Sequence, residues 1–264
     1  MIHSVPAADN KKPAVDVHTQ QADEFAERYE VRSADPYADC FAYSRHRLAS
    51  VMDGYLPESG GGKSLLDVGC GTGHHIKKLR EAGYVVSGVD ASEGMLAHAR
   101  TNNPGVVIKQ GDVDALPFPD ASFDYVLSIE VLRYLENPQP SISEMARVLK
   151  PGGIALVTAA PKLNLNGYWP LNQITSRIRV GNLTQLRQHF TTSWNLRRQF
   201  HRAGFSVVTV HGIYIGPINW VGRLARPLLR SFLRRWEPID SALTDRPILR
   251  DLSNMYLVRG ERAR

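Results

Sequence analysis

Ser64 to His75 reads SLLDVGCGTGHH, and this stretch decides how the chain around it folds. Short apolar residues lead into Gly69, Gly71 and Gly73, and the following IKKLREAGY has helical spacing. The pattern is a strand feeding a tight turn and then a helix N-terminus. Without Cβ atoms, the three glycines let the backbone turn sharply and let a ligand lie against it. A glycine-rich turn alone is a weak signal for any one nucleotide-like ligand. A second element supports it here. VVSGVDASEGML places Asp90 at the end of another apolar strand, where an acidic residue accepts both hydroxyls of a ribose.

The glycine spacing selects among ligands. Dinucleotide-binding turns carry G-x-G-x-x-G, whose third glycine lets helix and strand pack closely, but here His74 holds that place. Asp67, just before the turn, repels a pyrophosphate and suits an ammonium group. LLDVGCGTG is followed in order by GVDASEGML, QGDVDALPFPDASFDYVLS and RVLKPGGIALV. With these motifs the chain resembles the class I S-adenosylmethionine-dependent methyltransferases, in particular the small-molecule, quinone-biosynthesis-like branch (methyltransferase type 11). The likeness runs over residues 64–160 and covers several motifs in the right order.

The resemblance implies S-adenosylmethionine as cofactor and gives residues their roles. Gly69, Gly71 and Gly73 form the turn against it, with Asp67 beneath and Asp90 on the ribose. Ala91 and Met95 pack on the adenine faces, Asp112 takes the adenine amino group, and the backbone of Val113 lies nearby. Ser128 ends a strand where relatives offer backbone oxygen to the methionine ammonium. Tyr29 matches a tyrosine that closes over the cofactor, although the Asp that follows it in relatives is Glu30 here. For an acceptor that must lose a proton, His189 is the candidate base, with His201 and His211 as rivals.

Around this centre the chain reads as an α/β protein: a Rossmann-like, doubly wound, mostly parallel sheet with N-terminal helices and a lid-like insertion before the last strand. Residues 1–18 read as a flexible tail and 19–62 as N-terminal helices. The cofactor-binding unit spans 63–211, the insertion 212–250, and the last strand 251–264. Strands are expected at 64–69, 84–89, 106–110, 123–129, 153–159 and after Gly204; helices at 74–82, 92–101, 140–149 and 191–203. Ser92 is a helix start. PKLNLNGYWPLNQ, after Ala160, has the composition of a loop over an active site.

The insertion is the most individual part. Trp220 to Trp236 reads WVGRLARPLLRSFLRRW, with Leu224, Leu228 and Phe232 on one stripe and Val221, Ala225, Leu229 and Leu233 on another. Arginines fill much of the remainder, and Pro227 marks a kink or a second start. Such a segment is either a lid over the acceptor or a contact with a membrane surface, and the two roles are compatible. Residues 161–264 carry 17 Lys and Arg against 5 Asp and Glu, whereas residues 1–160 carry 15 against 21. That asymmetry points to an anionic partner or surface, or to a solvated basic face.

Composition excludes other classes. The 264 residues, 43% hydrophobic, suffice for a sizeable core. Cys40 and Cys70 form neither a disulfide framework nor a metal spacing, which suits a reducing, cytoplasmic setting. No apolar run is long enough to cross a membrane, and the first residues lack the apolar core of a secretory signal. The Asn-Pro-Pro-aromatic run of amino-methyltransferases of DNA adenine and of protein glutamine is absent: SIEVLRY stands in its place. Neither cysteine follows a proline, as a cytosine C5 enzyme requires. The expectation is methyl transfer to a small or lipid-like acceptor, with nucleic acid less favoured. A non-catalytic cofactor-binding protein and an NAD-dependent oxidoreductase stand as alternatives.

Overall fold

The computed structural model describes residues 11–31, 35–175, 188–216, 218, 222 and 226–264. Three helices come first: α1 Lys11–Gln20, α2 Ala22–Val31 and α3 Cys40–Asp53. Then strands and helices alternate: β1 Ser64–Val68, α4 His74–Glu81, β2 Val85–Asp90, α5 Glu93–Asn102, β3 Val107–Gln110, β4 Phe123–Ser128, α6 Gln139–Val148 and β5 Leu149–Pro161. After these come α7 Tyr168–Thr175, a short β6 Phe190–Thr191, α8 Ser193–Arg202 and β7 Phe205–Gly212. The last described elements are α9 Leu229–Thr244, α10 Pro247–Arg250 and β8 Tyr256–Arg262.

The sheet has the order β3-β2-β1-β4-β5-β8-β7, with β6 paired to the end of β5. The first five strands are parallel, and β8 runs antiparallel between β5 and β7. This is the expected doubly wound architecture. Strand order reverses between β1 and β4, so ligands bind beyond their carboxyl ends. Successive residues of β1 show why both faces need cover. Leu66 packs into a core with Val89, Val126, Phe200 and Phe205, and Leu65 into the opposite core with Ile76, Leu127 and Leu233. Both leucines are fully buried. Period-two alternation with both faces apolar is the mark of a central parallel strand.

Local chemistry sets the boundaries. Ser92 accepts the amide of Met95 and caps α5, and Thr192 accepts that of Asn195 and caps α8. Gly73, at φ 81°, is the cap of α4 and closes the glycine turn in a region closed to most side chains.

Three expectations are corrected, and one open alternative is decided. Residues 11–18, expected in the flexible tail, are helical; α1 packs on α5 at Gly94, where a Cβ would lie 2.8 Å from the Thr19 carbonyl. The stretch expected as a loop after Ala160 turns into α7 at Tyr168, whose amide is accepted by the Asn164 side chain. Thr191, expected to start a helix, is instead the second residue of β6. In the insertion, a 3-10 turn at Arg226–Leu228 leads into α9, so Pro227 marks a start. Val221, Leu224 and Ala225 lie outside the described residues. On α9, Leu229 and Leu233 are buried, whereas Phe232, and Leu228 at the end of the 3-10 turn, are 37% and 68% exposed.

Candidate active site

The glycine turn begins as β1 ends. The amides of Gly69 and Cys70 both donate to the Val89 carbonyl on β2, which fixes the turn to the neighbouring strand. Gly69 and Gly71 take φ values of 74° and 53°. A Cβ on Gly69 would collide with Val131, but one on Gly71 would meet nothing within 4 Å. Gly71 therefore borders open space, a cavity of about 690 Å³ at the carboxyl ends of β1, β2 and β4. Asp90, Ala91, Met95, Asp112 and Val113 line it.

Three carboxylates here have different electrostatics. Asp67 is buried beneath the turn, and its Oδ2 has no hydrogen-bond partner. Burial first, and the charge of Asp90 second, push it up to about 7. An unpartnered buried carboxylate is costly unless a cation joins it. Asp90 accepts the Gly71 amide at 2.9 Å and the Ser92 amide at 2.8 Å; burial raises its pKa although these bonds oppose the shift. Asp112 is held below the usual range despite its burial, by the Asp114 amide and by Lys11 of α1.

α1 covers this cavity. Lys11 bridges Asp112 and Asp114, and Thr19 shares a hydrogen bond with Ser92. The His18 ring meets Phe25 and lies edge-on to Tyr134, with centroids 5.2 and 5.1 Å apart. Its Nδ1 is 2.7 Å from the Ala14 carbonyl oxygen and donates to it, since a carbonyl only accepts.

A second cavity, of about 920 Å³, adjoins the first, and Arg45, Glu130 and Arg133 line both. Glu130 follows β4 with φ 64°, unusual for a side chain of its size, and its amide donates to Thr158 Oγ1 on β5. Its carboxylate pairs with Arg133. Burial would raise its pKa, but Arg133 and Arg45 hold it low, so Glu130 stays ionised. The second cavity is also lined by Phe41, Phe190, Leu229 and Met255, by Tyr168 and Tyr214, and by the polar Asp39, Ser44, Thr158 and Asn254.

A methyltransferase domain model matches residues 66–157, which hold the turn and β1 to β5 up to Val157. This chain carries a methyltransferase domain. The chain is 32% identical over 158 residues to a probable S-adenosylmethionine-dependent methyltransferase of Mycolicibacterium smegmatis, covering 59% of this chain and 56% of that one. It is 37% identical over 122 residues to a malonyl-[acyl-carrier protein] O-methyltransferase of Erwinia pyrifoliae, covering 42% and 47%. The chain thus spans about half the length of the curated relatives it matches. In three dimensions it is similar to an S-adenosylmethionine-dependent methyltransferase of Thermotoga maritima, a possible histamine N-methyltransferase. The TM-score is 0.63 at 19% identity, over 93% of this chain and 98% of that one. The fold is that of the class I methyltransferases.

S-adenosylmethionine is the cofactor of the methyltransferase domain, and the residues in place fit it. Asp67 offers an unpartnered carboxylate for an ammonium, Gly71 an open approach, and Met95 and Val113 apolar contact for a base. Two more residues were expected at the cofactor, Ser128 through its strand-end backbone oxygen and Tyr29 through its ring. The Ser128 side chain is fully buried and donates to the Val68 carbonyl, and the lining at the end of β4 passes to Ile129 and Glu130. Tyr29 lies in α2, but its side chain is outside the described residues. His189 is not on the lining of the second cavity, which its neighbour Phe190 reaches. Its amide donates to the Arg133 carbonyl, its Nε2 has no partner, and burial lowers its pKa. Lys11, His18, Arg45, Glu130, Arg133 and Tyr214 escaped the sequence reading. Only Glu130 and Arg133, in the charged stretch just after β4, gave a local signal.

Proposed function

We propose that the protein transfers the methyl group of S-adenosylmethionine to a small-molecule or lipid-like acceptor. One observation carries this: the cavity at the glycine turn shares Phe41, Arg45, Glu130 and Arg133 with a second, larger one. A donor on one side and an acceptor on the other would meet there. When bound, the cofactor supplies a sulfonium methyl open to in-line displacement.

The protein's share is alignment and exclusion of water. Asp67 neutralises the ammonium, Asp90 holds the ribose, and α1 closes over the site. Glu130 and Arg133 neutralise each other, so neither presents an uncompensated charge to the reacting atoms. Where the acceptor must lose a proton, His189 can serve as base only if Phe190 moves aside, since it stands off the cavity lining; burial keeps its imidazole neutral. The malonyl-[acyl-carrier protein] relative favours a small acidic acyl group, there borne on a carrier protein. The exposed Leu228 just before α9, and Phe232 and Ile239 on it, beside Arg230, Arg234 and Arg235, favour an added contact with an anionic membrane surface.

The test is incubation with S-adenosylmethionine labelled in its methyl group and an extract of the source cells, followed by mass identification of the labelled product. A methylated small molecule is expected. Cofactor binding with no labelled product would leave a non-catalytic binding protein in its place.

A further inference from the structure

Tyr214 lies just after β7, where the chain leaves the sheet, and it is only 7% exposed. It lines the second cavity, where its hydroxyl is within electrostatic reach of Tyr168, Glu130 and Arg133. No described residue hydrogen-bonds that hydroxyl. Buried hydroxyls nearly always have a partner, because an unmade hydrogen bond costs the full desolvation of the group.

The rest of the residue is clamped. The Tyr214 carbonyl accepts the Asn254 amide at 2.7 Å and also its side-chain Nδ2. The next amide, of Ile215, donates to Asp240 Oδ1 at 2.7 Å. Asp240 is fully buried in α9, and its Oδ2 takes the Tyr43 hydroxyl at 2.7 Å and Arg47 Nε at 3.2 Å. The Tyr43 ring in turn stands edge-on to the Tyr214 ring, 6.2 Å away. A buried network joining α3, α9 and the chain before β8 thus fixes this ring and leaves its hydroxyl to the cavity. A group held in this way loses little freedom on binding.

We propose that Tyr214 is the specificity-determining residue of the acceptor cavity, donating its hydroxyl hydrogen to an acidic oxygen on an acceptor with an apolar body. The inference rests on the reading of this cavity as the acceptor's. Burial raises the phenol's pKa, so at neutral pH it remains a donor. A donor prefers an anionic oxygen to a neutral one, since charge-assisted hydrogen bonds are roughly twice as strong. Arg45 stands at the same junction, where Glu130 and Arg133 compensate each other, while Phe41, Phe190, Leu229 and Met255 supply apolar wall. A carboxylate and a phenolate or enolate share this chemistry.

The protein loaded with S-adenosylhomocysteine is titrated calorimetrically with two pairs of probes: decanoate against decanamide, and para-heptylphenol against its methyl ether. The wild type is expected to bind at least one acid about tenfold tighter than its neutral partner, and the preferring pair names the acidic group. Tyr214→Phe should bring that ratio within about threefold while S-adenosylhomocysteine affinity and melting temperature stay unchanged, because the lost hydroxyl had no partner. No acid preference in the wild type, no acid binding at all, or a preference retained in Tyr214→Phe overturns the proposal. So does a large fall in melting temperature or cofactor affinity, which would mark a structural role. Failure of the wild type to bind S-adenosylhomocysteine would instead overturn the functional reading above.

Discussion

Asp90 Oδ2 accepts the Gly71 amide at 2.9 Å, which ties the end of β2 to the middle of the glycine turn. One carboxylate thereby shapes the turn and faces the cofactor cavity. Asp90→Ala should lower S-adenosylhomocysteine affinity about ten- to a hundredfold, the usual cost of losing a charged hydrogen-bonding group. Calorimetry checks this, and wild-type affinity in the variant would move the ribose away from β2.

Asp67 should make cofactor binding pH-dependent. Its folded pKa of about 7 lies above the ordinary 3.8, so the folded protein keeps a proton that the unfolded chain loses first. Stability contributed by this group is therefore full below about pH 4 and declines as pH rises toward about 7. The cofactor's ammonium favours the ionised carboxylate, so binding at pH 6 should release a proton, and affinity should climb with pH and level off above about 7. Calorimetry at pH 6 in buffers of different ionisation enthalpy measures the release. Asp67→Asn should abolish it; equal release in wild type and variant would assign the proton to another group.

The two stripes of α9 should separate cleanly. Leu233 is fully buried, and Leu233→Ala should cost about 2–5 kcal/mol in denaturant unfolding. Leu228→Ser combined with Phe232→Ser should change stability by less than about 1 kcal/mol, since both side chains face outward. If that face meets a membrane, the wild type should sediment with anionic vesicles, less so as salt rises past about 0.1 M, and the double variant should not. Equal sedimentation of both proteins would remove the membrane role from α9.

The glycine turn, Asp90 and the parallel strands were legible because their signals are local. Positive φ demands glycine, capping demands Ser92, and alternation along a buried strand writes its period into a few residues. Asp112 was legible as a strand-end carboxylate, but its partner Lys11 lies a hundred residues earlier, in a helix that looked like a tail. Ser128 was legible as the end of β4, but that its side chain turns to the carbonyl of Val68 is recorded in no local pattern. Asp240 reads as one more polar residue in a basic helix. It is buried only because α3 brings Tyr43 and Arg47 to it from the other end of the chain. The stripes of α9 were both visible, but choosing the inner one needed the position of the sheet beneath.

β8 lies between β5 and β7, so the edge strand has no neighbour until the final strand is in place. The second cavity, proposed to take the acceptor, draws Tyr214 from just past β7 and Asn254 and Met255 from just before β8. The cofactor half, built from strands close together in sequence, has no such dependence. A chain leaving the ribosome would hold its donor site in order well before its acceptor site exists, because distant pairings form last. Order of synthesis then separates the two halves of the reaction: a nascent chain could hold the methyl donor but could not yet select what receives it.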